Sequence, residues 1–303
     1  MNCSKHLSLV LFVGICNAQI ANYNHYPSMQ PQHILDANLT NISFAFSMRV
    51  IVSDYNGPLV RLRRANDNAL QNFTFAHNDI VDVAAIDAWR GASNVFVHTW
   101  YDQSGLGRNA VQTNNANQPR FFTNNPVQPF FQGDAFNDVL IVNTPNGMQD
   151  LTNNGREGSI LAVMAATRRG QVNFGVMVAN NRWSIHANWG DNNLYFDPGF
   201  CCSPTADRSF NNPANVGVMN LYTFIKGANN VIVRVRSVTR LNATHTRAAL
   251  TGTPDFNICA GSTDTGSTGF SDASFVELVM YNTNIPAATY QEIEQDTITF
   301  WNL

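Results

Sequence analysis

Asp264 stands in the small-residue loop Gly261-Ser262-Thr263-Asp264-Thr265-Gly266, shortly before the strand-like run Phe275-Val276-Glu277. A carboxyl group on such a turn is free to meet a ligand, although an Asp there also serves plain turn chemistry. Two such groups flanking a glycosidic bond are the machinery of sugar hydrolysis, and the retaining form of that reaction needs them about 5–5.5 Å apart. The segment Trp183-Ser184-Ile185-His186-Ala187-Asn188-Trp189 offers no carboxylate as a partner. The others near enough in sequence are Asp191, Asp197, Asp207 and Glu277. Glu277 alternates with apolar Val276 and Leu278, so it faces away from the core or pairs with a buried Arg.

A second group of residues suits binding. Trp183, His186, Trp189, Tyr195 and the adjacent Cys201 and Cys202 can form a patch in which rings cover sugar faces and polar atoms meet hydroxyls. Trp183 and Tyr195 fit a sandwich core equally well, whereas Trp189, followed by Gly190-Asp191-Asn192-Asn193, sits beside a hairpin turn and is expected at the surface. The stretch Trp100-Tyr101-Asp102-Gln103-Ser104-Gly105 contains reactive residue types without a His partner, so Asp102 and Ser104 are expected to bond loop amides. No loop has the dense carboxylate spacing of a Ca²⁺ site, and neither a metal nor a cofactor is expected.

Positioning these groups falls to a chain of 303 residues, 44% hydrophobic and only 13% charged, with a net charge of −3. That composition supports a full core and argues against disorder. With no basic run, nucleic acid is excluded as a partner. The charged fraction is about half the usual ~25%, and amides carry much of the polarity. Only Lys5 and Lys226 are lysines; every other basic residue is Arg, which favours planar hydrogen bonding.

Residues 1–18 run from Lys5-His6 through an apolar core to small residues at Ala18, the pattern of a secretory signal peptide and too short to span a bilayer. Secretion is therefore expected, with no membrane span elsewhere. Sequons follow at Asn38, Asn41, Asn72 and Asn242. Cleavage would remove Cys3 and Cys16, leaving Cys201, Cys202 and Cys259. Cys201 and Cys202 can bond to each other, the preferred reading, or either can bridge to Cys259, which is otherwise a buried thiol.

Residues 19–43, polar with Pro27 and Pro31, read as an extended N-terminal arm able to reach a neighbouring subunit, and 44–303 as one domain. Within it, Leu59-Val60-Arg61-Leu62-Arg63 alternates as a strand with its arginines on one side. Strand-like runs follow at 95–101, 139–142, 159–166, 175–178, 183–187, 194–196, 221–226, 231–238, 256–260 and 275–281, separated by turn residues. Residues 79–89 read as a short surface helix capped by Asn78 or Asp79 and stopped by Gly91, and Pro286 to Trp301 as a closing helix. Many short strands with turns between them make an all-β sandwich.

Residues 44–64, above all Thr99-Trp100-Tyr101-Asp102-Gln103-Ser104-Gly105-Leu106-Gly107-Arg108-Asn109-Ala110, and the later Leu194-Tyr195-Phe196-Asp197-Pro198-Gly199-Phe200-Cys201-Cys202, resemble the concanavalin A-like (laminin G-like) sandwich of fungal arabinofuranosidase B and its relatives. The resemblance implies a jelly-roll sandwich and a carbohydrate context. It lays Asp264 on the family's acid/base and leaves no residue on the family's nucleophile, a Glu on an inner strand near the Cys-Cys element. With that nucleophile missing, the expectation is a secreted, non-catalytic sandwich that binds glycans or builds an extracellular surface or filament, self-associating through residues 19–43. The alternative is an arabinofuranosidase-like retaining glycoside hydrolase.

Overall fold

The computed structural model describes residues 33–179, 181–199, 201–202, 205–212, 216–246 and 248–303. The expected signal peptide and the first part of the expected arm lie outside them. In chain order the strands are β1 (Ile42–Ser47), β2 (Val60–Arg64), β3 (Leu70–Phe73), β4 (Val95–Trp100), β5 (Ala110–Val111), β6 (Arg120–Phe122), β7 (Phe130–Gln132), β8 (Leu140–Val142), β9 (Gly158–Ala165) and β10 (Phe174–Val178). They continue with β11 (Asn181–His186), β12 (Asn193–Pro198), β13 (Ser209–Asn211), β14 (Asn220–Lys226), β15 (Asn230–Val235), β16 (Val238–Thr244), β17 (Phe256–Ile258), β18 (Gly261–Thr263), β19 (Gly266–Thr268) and β20 (Ser274–Tyr281). Three α-helices join them: α1 (Val83–Arg90), α2 (Met148–Leu151) and α3 (Ala287–Trp301).

Strand pairings draw two layers. One runs β1-β20-β9-β14-β15-β16. The other runs β3-β2-β4-β5-β8-β17-β10-β11-β12-β13, and β6 and β7 tie β4 to β20. The expected β-sandwich with a short surface helix and a C-terminal helix is what forms. β9 and β20 are central strands buried along their whole length, which is why their sequences are nearly continuous apolar runs rather than alternating ones.

Rings close the gap between the layers. Phe44 of β1 meets Phe256 of β17 at 5.3 Å between centroids, and Phe174 of β10 meets Phe275 of β20 at 6.1 Å. Each fully buried ring contributes about 1.5–3 kcal/mol. Trp183, expected at a binding patch, belongs to this core: it is fully buried and packs edge-on against Phe196. Its alternation along β11 turns it inward, which corrects its assignment as a ligand contact.

The Trp100-to-Gly105 stretch acts as a clamp, as expected. Asp102 accepts from the backbone N–H groups of Ala45, Ser104 and Arg108 at 2.9, 2.9 and 3.0 Å and from the Ser104 hydroxyl at 2.7 Å. Gln103 accepts from Ile51 N–H and donates to the Arg49 carbonyl. Together they fasten the end of β4 to β1.

Helix α1 begins later than its apolar spacing suggests. Asp82 is the N-cap and accepts from Ala85 N–H, while Ile80 and Val81 form β-bridges to Arg49 and Phe75. Pro286 caps α3, which buries Tyr290, Ile293 and Trp301. Within the expected arm, Leu35 is buried with its N–H on the Ile51 carbonyl, and β1 starts at Ile42. Of the sequons, Asn41, Asn72 and Asn242 are exposed, and half-buried Asn38 donates to the Ile34 carbonyl. No helix among the described residues is long and apolar enough to cross a membrane.

Candidate functional site

Two cavities flank β10. Its Val176 pairs with Ser262 of β18, which lines the first cavity, and the next residue, Met177, lines the second.

The first, about 270 Å³, holds Asp264 at the tip of the β18–β19 hairpin. It also holds Asp255, which the sequence reading did not single out. They share the cavity because β17 and β18 both pair with β10, bringing the residue before β17 and the residue after β18 to one end of the sheet. The Ser262 hydroxyl donates to the Asp255 carbonyl and ties the two segments. Asn143 Nδ2 donates to Asp255 Oδ1 at 2.9 Å. Burial raises the Asp255 carboxyl above its ordinary value, with the Asn143 bond opposing it. Asn257, 2% exposed, lines the same cavity; its Nδ2 donates to Ser267 Oγ, and its Oδ1 has no partner. A buried amide oxygen without a donor is a place where a ligand hydroxyl fits.

The second cavity, about 260 Å³, is lined by His186, Trp189, Tyr195 and Cys202 from the expected binding set, joined by Asp197 and Arg208. Cys201 and Cys202 are bonded to each other, and Cys259 is a free buried thiol. Cys201 is buried and is not among the lining residues, so Cys202 alone of the pair reaches the cavity. Arg208 donates to Asp197 Oδ1 and lies over the Tyr195 ring at 4.4 Å. Asp197 Oδ2 faces the Arg182 guanidinium, which also lines the cavity, at 3.7 Å. Burial pushes the His186 imidazole down to about 4, so it is neutral at physiological pH. Its Nδ1 faces the Gln171 carbonyl at 3.2 Å and therefore carries the proton, leaving Nε2 to accept from the Ser184 hydroxyl. Trp189 packs edge-on against His186 at 4.8 Å, and Tyr195 Oη donates to Asp191 at 2.5 Å.

Glu277 is held in place by structure. It accepts from Ser47 Oγ, Arg49 Nε and Trp301 Nε1 at 2.8, 2.9 and 3.1 Å, deep under α3. Among the described residues no group of three His, Cys, Asp or Glu side chains is arranged to hold a metal ion.

No family model matches the sequence, and no curated protein does. Solved structures do. An arabinofuranosidase complexed with arabinofuranosyl-α-1,2-xylobiose superposes with a TM-score of 0.69 at 16% identity, over 88% of this chain and 64% of that one. A GH54 α-L-arabinofuranosidase soaked with a cyclic sulfate inhibitor gives 0.68 at 15% identity, again over 88% and 64%. The chain thus spans 64% of the length of these proteins, and the likeness concerns the fold. It also corrects the expectation of a non-catalytic binding or structural subunit. The two arabinofuranosidases share this sandwich over 88% of the chain, and the missing partner for Asp264, on which that expectation rested, has a candidate in Asp255.

Proposed function

We propose that this chain is an arabinofuranosidase-like glycoside hydrolase on a concanavalin A-like sandwich. The observation that carries the reading is that Asp255 and Asp264 line one cavity together with Asn257, whose amide oxygen has no donor. Burial favours the protonated form of Asp255 and suits it to protonate the departing glycosidic oxygen. Asp264, exposed at the hairpin tip, is then the carboxylate that attacks the anomeric carbon. This reverses the acid/base role that the resemblance alone gives Asp264. The neighbouring cavity at Cys202, with the Trp189 ring and the Asp197–Arg208 pair, supplies a place for the sugar on one side of the bond.

The test is hydrolysis of arabinofuranosides by the intact chain, Asp255→Asn and Asp264→Asn. Loss of either carboxylate is expected to cost about 10²–10⁴-fold on an arabinosyl oligosaccharide. On 4-nitrophenyl α-L-arabinofuranoside, whose phenolate departs without a proton, Asp255→Asn is expected to lose much less than Asp264→Asn. Absence of turnover by the intact chain across furanosides defeats the reading; full activity in Asp264→Asn defeats the site.

A further inference from the structure

The strand whose alternating arginines stood out in the sequence leads to a third cavity, of about 440 Å³, on another part of the second layer. Cross-strand pairing sets Arg63 of β2 beside Phe96 of β4, Phe96 beside Arg120 of β6, and Arg120 beside Gln132 of β7. All four side chains line the cavity, as do Asp134 and Asp138 of the loop that follows β7. The guanidinium of Arg63 lies 4.8 Å from the centroid of the Phe96 ring, and that of Arg120 lies 4.8 Å from the centroid of Phe122.

Arg63 is 7% exposed, and its hydrogen bonds go to neutral acceptors: Gln118 Oε1 at 2.6 Å, Asn68 Oδ1 at 3.0 Å and the Asn115 carbonyl at 3.0 Å. No carboxylate among the described residues pairs with it, and burial alone lowers its proton affinity. Arg120 bonds the Asn94 amide oxygen. A buried guanidinium without a counter-charge is unusual, since buried charges are ordinarily paired.

The carboxylates across the cavity do not fill that role. Asp134 Oδ1 is occupied by the backbone N–H groups of Phe136, Asn137 and Asp138. Asp138, 7% exposed, is raised to about 7 by burial and then by the charge of Asp134, so it carries only part of its charge near neutrality. Between them Phe136 is 73% exposed at the loop tip, with Ala135 in the left-handed region at φ 68°. Two guanidiniums and the rings of Phe96 and Phe122 lining one cavity are what a sugar ring bearing an oxyanion would use.

We propose that this cavity binds an acidic sugar, its oxyanion held by Arg63 and Arg120 and its ring lying toward Phe122. The sugar portion rests on the glycosidase reading; the oxyanion portion stands without it. The groups facing Asp138 are Asp134 on its own loop, Arg63 and Arg120 across the cavity, and Cys259 behind Gly133, with the Asp272–Arg168 pair beyond. Binding an anion there favours the neutral form of Asp138, so affinity is expected to rise below pH 7 and fall above it.

The experiment is calorimetric titration of the intact chain with methyl β-D-glucuronide, methyl β-D-glucoside and inorganic sulfate at pH 5.5 and 8. The glucuronide is expected to bind more than ten-fold better than the neutral glucoside. Exposed Arg120→Gln, which leaves the buried Arg63 network intact, is expected to weaken it about ten-fold or more, and Asp138→Asn to bring affinity at pH 8 up to that at pH 5.5. Sulfate binding as tightly as the glucuronide overturns the sugar portion. Equal binding of glucuronide and glucoside, or no binding by a folded chain, overturns the proposal. Repeating the titration in Asp264→Asn separates the two readings, because the glucuronide should bind that variant unchanged whether or not arabinofuranosides are hydrolysed.

Discussion

Arg49 and Arg63 are both buried, at 4% and 7% exposure, yet they live in opposite electrostatic circumstances. Arg49 donates to Glu277 at 2.9 Å and pairs with Asp296 at 2.6 Å, and Trp301 and Thr297 of α3 complete the cluster. Burial works against the charged form of Glu277, but Arg49 and the surrounding donors outweigh it, and the carboxyl ends below its ordinary value. Arg63 is surrounded by amides, and the acid nearest to serving it sits raised across an open cavity. The first arrangement is closed on itself and fastens α3 to β1 and β20. The second holds its guanidinium on neutral acceptors and leaves its charge unpaired.

Glu277→Gln should break the closed cluster and give the largest effect. It leaves Arg49 under α3 with only the half-exposed Asp296, and loss of one partner of a buried pair costs about 3 kcal/mol. Urea unfolding followed by tryptophan fluorescence should show the midpoint fall with the slope unchanged. A loss under 1 kcal/mol would mean that Asp296 alone satisfies Arg49. The carboxyl is depressed in the fold, so its stabilisation is present above the ordinary value near 4.5 and lost as pH falls through the folded one.

Arg63→Gln sharpens the contrast. It gives up bonds to Gln118, Asn68 and Asn115 but also removes a charge that the fold leaves uncompensated. The two nearly offset, and a loss of about 1 kcal/mol or less is expected in the same unfolding assay. A loss matching that of Glu277→Gln would make Arg63 a structural group like Arg49.

Much of the frame was legible because it is local. The continuous apolar runs of β9 and β20, the Pro before α3 and the Asp-Gln-Ser clamp each declare themselves within a few residues. Where local signals misled, the reason is specific. Residues 231–238 read as one strand, but the chain turns back after Val235 through Arg236 and Ser237, at φ 49° and 62°, a turn taken without glycine. The apolar spacing starts helix α1 too early because Ile80 and Val81 fit its period while tertiary bridges claim them. The sites were the least legible. Asp255 comes to share a cavity with Asp264, and Arg63 with Arg120, only through strand register, which gathers residues that no sequence spacing connects.

Asp138→Asn is the smallest of these changes and tests the open region from its acidic side. Asp138 is raised in the fold, so its favourable contribution is complete below the unfolded value near 3.8 and is lost as pH climbs through about 7. Its slope is therefore opposite to that of Glu277. Because the cavity admits water, the loss across that window is on the order of 1 kcal/mol. The amide cannot ionise, so the variant should hold its stability from pH 5 to 8 where the parent declines. An acidic sugar, which binds more tightly when Asp138 is protonated, should steepen the same decline in the parent, stabilising the fold more at pH 5.5 than at pH 8. Parallel stability profiles for parent and variant would show that Asp138 ionises freely, and that the two regions differ in the surroundings of their arginines alone.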